Sequence, residues 1–383
     1  MSLGSLSHHF SDFSLRHRSR ATAGEVDCIV MAATPAKKAT AVADPRKLPG
    51  DYDTKFSGLI TAYERKEYKR GHKLSDEILK KFPNHGETQA MKGLVYNCQE
   101  DKEKAYEWIK LGLKNDIRSH VCWHVYGLIY RSDANYKEAS KCYLNALRIN
   151  PGNNNILRDL GWLQIQLREF DAFVSTRRRI LQSKSTLRTN WIALAMGHYG
   201  AGDYDAAYTV VDKCQDLFAK DSDVSDWEVS ELVLFQNRCL EQQGKYDDAL
   251  KHLSDNESKV VDKLTIHVKT AEFLLLSGKH TESLAKWMFL LQDQTENYRF
   301  HTGMQTALLQ LSVEDSKNML ALGRLDLPSS VMKLTDAQKH LLLNTYKTEK
   351  CFQQRTCATT IRKICFSLLT GDALKNSLKE HIM

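Results

Sequence analysis

His120 and His124 stand four residues apart, a spacing that puts both imidazoles on one helix face and that metal sites use. No third ligand is placed beside them. No Glu stands where a helical zinc site needs its base, so packing or groove-facing histidines are the simpler reading. Gly200 and Gly202 flank Ala201 in a pattern that suggests a phosphate loop. It lacks a preceding strand, a third glycine and a lysine, and an inter-helix turn explains it better. Two basic runs could neutralise phosphate: Arg177, Arg178 and Arg179, and the stretch RKEYKRGHK with Arg65, Lys66, Lys69 and Arg70. A solvated helix face is the competing reading, since neither run offers aromatics available for base stacking. Nine cysteines are an odd number and contain no C-x-x-C pair, which argues against both a disulfide framework and a zinc ribbon. They read as reduced, small core residues of a cytosolic protein.

The elements that carry these residues are helices. Only six prolines occur in 383 residues, and Pro35, Pro45 and Pro49 fall in the first fifty. Sparse proline over the remaining three hundred residues suits a chain that is mostly helix. Hydrophobic residues at 42% suffice for a core, and 26% charged residues suit a soluble protein. No apolar run is long enough to cross a membrane as a helix. The formal net charge of +7 permits an acidic partner such as RNA without demanding one.

Repeats organise the helices. Trp123, Tyr126, Gly127, Tyr130, Ala139, Tyr143, Ala146 and Pro151 follow the 34-residue tetratricopeptide pattern in full. Stepping by 34 takes Gly127 to Gly93 and Gly161, and Ala139 to Gly71, Ala105, Phe173 and Ala207. Trp123 reaches Trp191 and Pro151 reaches Pro83 after two steps, although Ile117 intervenes. Small residues let two antiparallel helices approach, large ones fill the gap to the next unit, and proline ends the second helix. SDANYKEA, GAGDYDAA, QGKYDDAL and SGKHTESL read as one turn used repeatedly. The phase slips once, by 42 rather than 34 between Ala207 and Ala249, with the extra residues in KDSDVSD (Lys220 to Asp226) as a loop or helix extension. It resumes at Ser283 and fades beyond about residue 313, where DAQKHLLLNTYK and TGDALKNSLKEH still read as helices.

The predicted fold is therefore all-α, a tetratricopeptide-repeat superhelical solenoid. Residues 1–50 are expected to be a disordered extension, 51–312 the repeat array, and 313–383 further helical repeats, irregular and cut short. The first twenty residues carry Arg16, Arg18 and Arg20 with one acid, Asp12, a transit-peptide composition. A second start at Met31 favours a non-native extension instead. No polar capping helix is recognisable at the end, as if the sequence were cut from a longer protein. In such arrays the inner groove is lined by first-helix positions 2, 5, 9 and 12, here Val121, His124, Leu128 and Arg131. Where chaperone-type repeats clamp a carboxylate with Lys and Asn, this chain has Phe56, Ile60, Ala90 and Leu94. An apolar groove suits a bound helix better than a chain terminus.

Several segments go further than the repeat. FPNHGETQAMKGLVYNC, LKNDIRSHVCWHVYGLIYRSD, YKEASKCYLNALRI and NNILRDLGWLQIQLREF together resemble the large auxiliary subunit of the N-terminal acetyltransferase A (NatA) complex. So does KVVDKL paired with NYRFHTGMQTAL and FSLLTGDALKNSL. The resemblance covers roughly residues 52–383 and is strongest from 82 to 173. It implies a non-catalytic, cytoplasmic scaffold that wraps a small catalytic acetyltransferase subunit and tethers it to the ribosome for co-translational N-terminal acetylation. It implies no cofactor, metal, membrane or small-molecule substrate for this chain. The family protein is roughly twice as long, with most of its catalytic-subunit contacts in the part not matched. The first fifty residues match nothing in the family, and 313–362 match loosely. The acetyl-CoA signature of acetyltransferases, Gln/Arg-x-x-Gly-x-Gly/Ala after a strand, is absent. The alternative is a general tetratricopeptide adaptor, such as a chaperone-associated one, against which the missing carboxylate clamp counts.

Overall fold

The computed structural model describes residues 47–219, 225–321, 327–349, 352 and 358–368. The expected disordered extension lies outside these residues except for its last four. The chain divides into two units, Met1–Pro49 and Gly50–Met383, and the described helices all belong to the second. All its described regular structure is helical, and it is a tetratricopeptide solenoid of antiparallel pairs. The first four pairs are α1 (Gly50–Glu64) with α2 (Tyr68–Lys81), α3 (Gly86–Cys98) with α4 (Lys102–Asn115), α5 (His120–Ser132) with α6 (Tyr136–Ile149), and α7 (Asn154–Gln166) with α8 (Phe170–Ser183). The next four are α9 (Arg188–Gly200) with α10 (Tyr204–Phe218), α11 (Asp226–Gln242) with α12 (Tyr246–Asp255), α13 (Lys263–Leu276) with α14 (His280–Asp293), and α15 (Tyr298–Leu308) with α16 (Val313–Ala321). Three further helices come after them: α17 (Pro328–Val331), α18 (Asp336–Thr348) and α19 (Ala358–Leu368).

The turn inside each pair is the most regular feature. Lys66, Glu100, Ala134, Arg168, Gly202, Gly244, Gly278 and Gln310 all have positive φ. The first seven stand directly before the second helix's cap, and Gln310 stands two residues before Ser312, which caps α16. The steps between them are 34 residues except for 42 from Gly202 to Gly244 and 32 from Gly278 to Gln310. The first exception is the phase slip read from the sequence. It is taken up in part by α11, which has 17 residues where α9 has 13; residues 220–224 of KDSDVSD lie outside the described residues. The second exception explains why stepping by 34 loses phase near residue 313. Three turns use glycine. At the others an L-residue accepts a left-handed backbone at a cost of about 1 kcal/mol, offset where Asp101 and Asn135 cap the second helix by accepting its free N–H groups.

Packing within a pair follows the small-residue lattice. Ala105, Ala139, Ala207, Ala249 and Ser283 have no exposed surface, and Gly71 is buried. A Cβ at Gly127 would overlap the Tyr143 ring within its pair, and one at Gly303 the Trp287 ring of the preceding pair. Phe173 stands where the lattice wants a small residue. It is accommodated by glycines on both sides, since a Cβ at Gly161 would lie 3.4 Å from its ring and one at Gly197 2.9 Å. The buried thiols Cys122, Cys142, Cys214 and Cys239 pack in this interior. Burial pushes the first two up to about 12 and the others to about 11, so they are inert packing groups. Cys28, Cys351 and Cys357 lie outside the described residues.

Beyond α16 the regular stacking stops. Leu342, Tyr346, Phe352, Ile361, Ile364 and Leu368 join one buried cluster with Trp287, Leu290, Phe300 and Met304. DAQKHLLLNTYK is α18, as read from the sequence, whereas TGDALKNSLKEH lies outside the described residues. The fully buried His301 pins α18 to α15. Its Nε2 donates to Thr295 O at 2.7 Å, leaving Nδ1 to accept from the Tyr346 hydroxyl at 3.1 Å. Burial lowers the His301 pKa, which keeps the ring neutral.

Candidate partner-binding groove

Counting from His120 as position 1, the groove positions of α5 are Val121, His124, Leu128 and Arg131. All four reach partly or wholly exposed surface, but two are held by the protein itself. His124 Nε2 lies 2.7 Å from Asp159 Oδ2, and Arg131 Nη1 donates to Asp159 Oδ1 at 3.2 Å. Burial alone would raise the Asp159 pKa, but the His124 hydrogen bond and the Arg131 charge outweigh it and hold the carboxyl below its usual range. Tyr143, behind these groups, has its ring 5.4 Å from His124. His124 is thus engaged by Asp159 rather than left beside His120 alone. Among the described residues no cluster of three or more His, Cys, Asp or Glu side chains could hold a metal ion.

The Arg131–Asp159 contact joins position 12 of one pair to position 6 of the next. The same juxtaposition recurs along the floor. Tyr199 faces Phe235 with ring centroids 5.4 Å apart, and Lys269 donates to Glu241 at 3.0 Å. Lys269 also pairs with Glu272 at 3.1 Å, and Arg299 closes on the same carboxylate from the next pair. The Glu272 side chain is only 4% exposed, so it depends on both cations. The corresponding pair between α7 and α9 is Ile165 and Ala193, which carries no charge.

This leaves an apolar stretch in the middle of the groove, closed by ion pairs on either side. Trp162 is 51% exposed, Met196 60% and Ile165 37%. A cleft of about 540 Å³ continues from it, lined by Ile192, Met196, Tyr199, Leu234, Phe235 and Arg238 among others. The apolar groove expected from Phe56, Ile60, Ala90 and Leu94 is elsewhere. Ala90 and Leu94 are buried at 0% and 3% exposure, packed with Leu59 and Val125 in the core of the first three pairs, and Phe56 and Ile60 rest against it. Trp162, Met196 and Tyr199 were within reach of the sequence, because stepping Leu128 and Arg131 by 34 lands on Trp162, Ile165, Met196 and Tyr199. Whether a lattice position is open or filled depends on how closely neighbouring first helices approach, which periodicity does not reveal.

The two basic runs sit on different pairs. Arg65 and Lys66 form the turn after α1, and Lys69 and Arg70 open α2; all four are exposed, and Arg70 pairs with Glu67 at 2.9 Å. Tyr68, the one tyrosine in that run, packs against the core. On α8 the three arginines diverge. Arg178 and Arg179 are exposed, with Arg179 donating to Pro151 O at 2.8 Å, while Arg177 turns inward over the Phe173 ring at 4.9 Å.

The comparisons with known proteins come to the same array. Residues 55–291 match the family described as Psidin, N-terminal TPR repeats region, and residues 227–383 match the N-terminal acetyltransferase A auxiliary subunit. The chain is 43% identical over 263 residues to the NAA15 auxiliary subunit of the Arabidopsis thaliana N-terminal acetyltransferase A complex, covering 68% of this chain and 29% of the relative. It is 39% identical over 270 residues to the NatA auxiliary subunit N-alpha-acetyltransferase 16 of Homo sapiens, covering 70% and 31%. It spans about three-tenths of the length of these curated relatives. A solved structure described as Naa15/Naa10 bound to HypK-THB superposes with a TM-score of 0.66 at 28% identity, covering 86% of this chain and 46% of that one. The repeat lattice, the helix pairs and these matches together place the chain in the family of NatA auxiliary subunits with Psidin-type N-terminal tetratricopeptide repeats.

Proposed function

We propose that this chain is a non-catalytic scaffold of a NatA-type N-terminal acetyltransferase complex, acting in the cytoplasm. It grips the catalytic subunit along its groove and carries the complex to the ribosome. The observation that carries the reading is the open apolar stretch of Trp162, Ile165, Ile192 and Met196 on a floor otherwise closed by ion pairs. A solvated protein leaves such a surface inside a concave face when a partner covers it. A related array solved together with Naa10 supports a catalytic subunit as that partner. The exposed Arg178, Arg179, Arg65, Lys66, Lys69 and Arg70 support contact with ribosomal RNA phosphate; Arg177 contributes little there, being turned inward.

Affinity purification of the tagged full chain from cells, followed by mass spectrometry, tests this. The expected co-purifying proteins are a small acetyltransferase and ribosomal proteins. Recovery of chaperones alone would replace the reading with that of a general adaptor. Reversing Lys69, Arg70, Arg178 and Arg179 to Glu should reduce ribosome co-sedimentation and flatten its salt dependence. Co-sedimentation equal to that of the wild type would remove the ribosome from the proposal.

A further inference from the structure

Arg177 is an arginine where the preceding repeat has Tyr143, and the two neighbourhoods differ in one decisive way. Around Tyr143, the His124 imidazole and the Arg131 guanidinium share the carboxylate of Asp159, which comes from position 6 of the next first helix. One repeat along, the same lattice positions hold Arg158 in place of His124, Arg177 in place of Tyr143, and Ala193 in place of Asp159. Arg131 becomes the neutral Ile165, so the two arginines Arg158 and Arg177 stand where a histidine and a tyrosine stood, and the anion is gone. Arg177 Nε is buried without a hydrogen-bond partner. Its guanidinium packs over Phe173 and lies 3.7 Å from where a Cβ on Gly161 would be. Arg158 donates to the neutral Asn155 side chain at 2.6 Å. No carboxylate among the described residues pairs with either arginine. Burial and the nearby Arg158 charge both work against the charged form of Arg177. An arginine kept under these conditions costs stability unless an anion from outside completes the site.

We propose that Arg158 and Arg177 form a carboxylate cradle in the groove, which receives an Asp or Glu side chain from an amphipathic helix of the partner lying over Trp162, Ile165 and Met196. The occupant is set by the surroundings. Arg158, Trp162 and Ile165 lie along one face of α7, and Met196 comes from α9, so one ligand must present an apolar face with an acid at its edge. Within the array itself, Asp159 shows the charge complement that this geometry takes. A nucleic-acid phosphate fits less well, because the cradle opens on exposed apolar side chains and Arg177 is recessed. The proposal rests on the scaffold reading above for the identity of the partner, the catalytic acetyltransferase subunit.

Two arms keep the ideas separable. In the first, Ala193→Asp in the full chain supplies the missing carboxylate from within. Its melting temperature should rise by roughly 2 °C or more, and that gain should vanish in Ala193→Asp combined with Arg158→Gln and Arg177→Met. A lower or unchanged melting temperature for Ala193→Asp would overturn the cradle. This arm needs no partner. In the second, affinity for the catalytic subunit is measured for wild type, Arg177→Met and Ala193→Asp. Both variants should bind about tenfold more weakly or worse, with Arg177→Met melting no lower than wild type. Wild-type affinity in both variants would overturn the acidic-helix occupant, as would a loss confined to ribosome co-sedimentation. Failure of the wild-type chain itself to bind the subunit would instead sink the scaffold reading and, with it, this choice of partner.

Discussion

At Asp159 an imidazole and a guanidinium from the preceding repeat converge on one carboxylate, with His124 at 2.7 Å and Arg131 at 3.2 Å. The side chain is 25% exposed, so the contact is screened only in part. Asp159→Asn keeps the shape and removes the charge, and should lower stability by about 1–3 kcal/mol in thermal or denaturant unfolding. The pH dependence has a definite sign. The folded carboxyl titrates below its unfolded value, which is near 3.9. Its stabilisation is therefore complete above about pH 4 and is lost as pH falls through the depressed native value. The gap between wild type and Asp159→Asn should accordingly be full at neutral pH and close in acid. A gap that stayed constant down to the lowest pH would show that the charge of Asp159 is not what stabilises the contact. At this scale the sequence was informative about types more than about partners. His124 and Arg131 read as groove residues from spacing alone, but their shared acid lies 28 or more positions away on another helix, and only the approach of α5 to α7 brings it in.

Among the elements, α9 breaks a run of capped first helices. His85, Ser119 and Asn153 accept N–H bonds at the starts of α3, α5 and α7. The next residue in that series is Leu187, which offers none and is 48% exposed. Leu187→Asn should stabilise the chain by about 1 kcal/mol, read as a higher midpoint in urea with an unchanged slope. No gain would mean that α9 is held by packing against α8 and α10 alone. The elements were the most legible part of the molecule. Small residues at Ala105, Ala139, Ala207 and Ala249, and glycines at Gly202, Gly244 and Gly278, marked each crossing and several turns. The turns at Lys66, Glu100, Arg168 and Gln310 were harder to read, because long polar side chains adopt the same left-handed backbone without advertising it. Phe173 in a small-residue position shows the converse, since its fit depends on Gly197 in the following repeat.

Across the second unit as a whole, the groove is unequal along its length. Its second pair fills groove positions with its own core, as Ala90 and Leu94 show. Ion pairs close it at Asp159 and again at Glu272, and the open apolar stretch lies between. The solvent-exposed Trp162 and Met196 mark where along the array the proposed partner would sit. The array was visible in the lattice, whereas this division of the groove was not, because it depends on how tightly successive first helices pack. Met196 offers the most direct test, being 60% exposed and remote from the buried interior, so that Met196→Glu should leave folding unchanged within about 0.5 kcal/mol. The measurement is the dissociation constant of the full chain for a NatA-type catalytic subunit, wild type against Met196→Glu. An open groove used by the partner predicts binding by the wild type and a loss of roughly tenfold or more in the variant at equal melting temperature. Equal affinity of the two would contradict it.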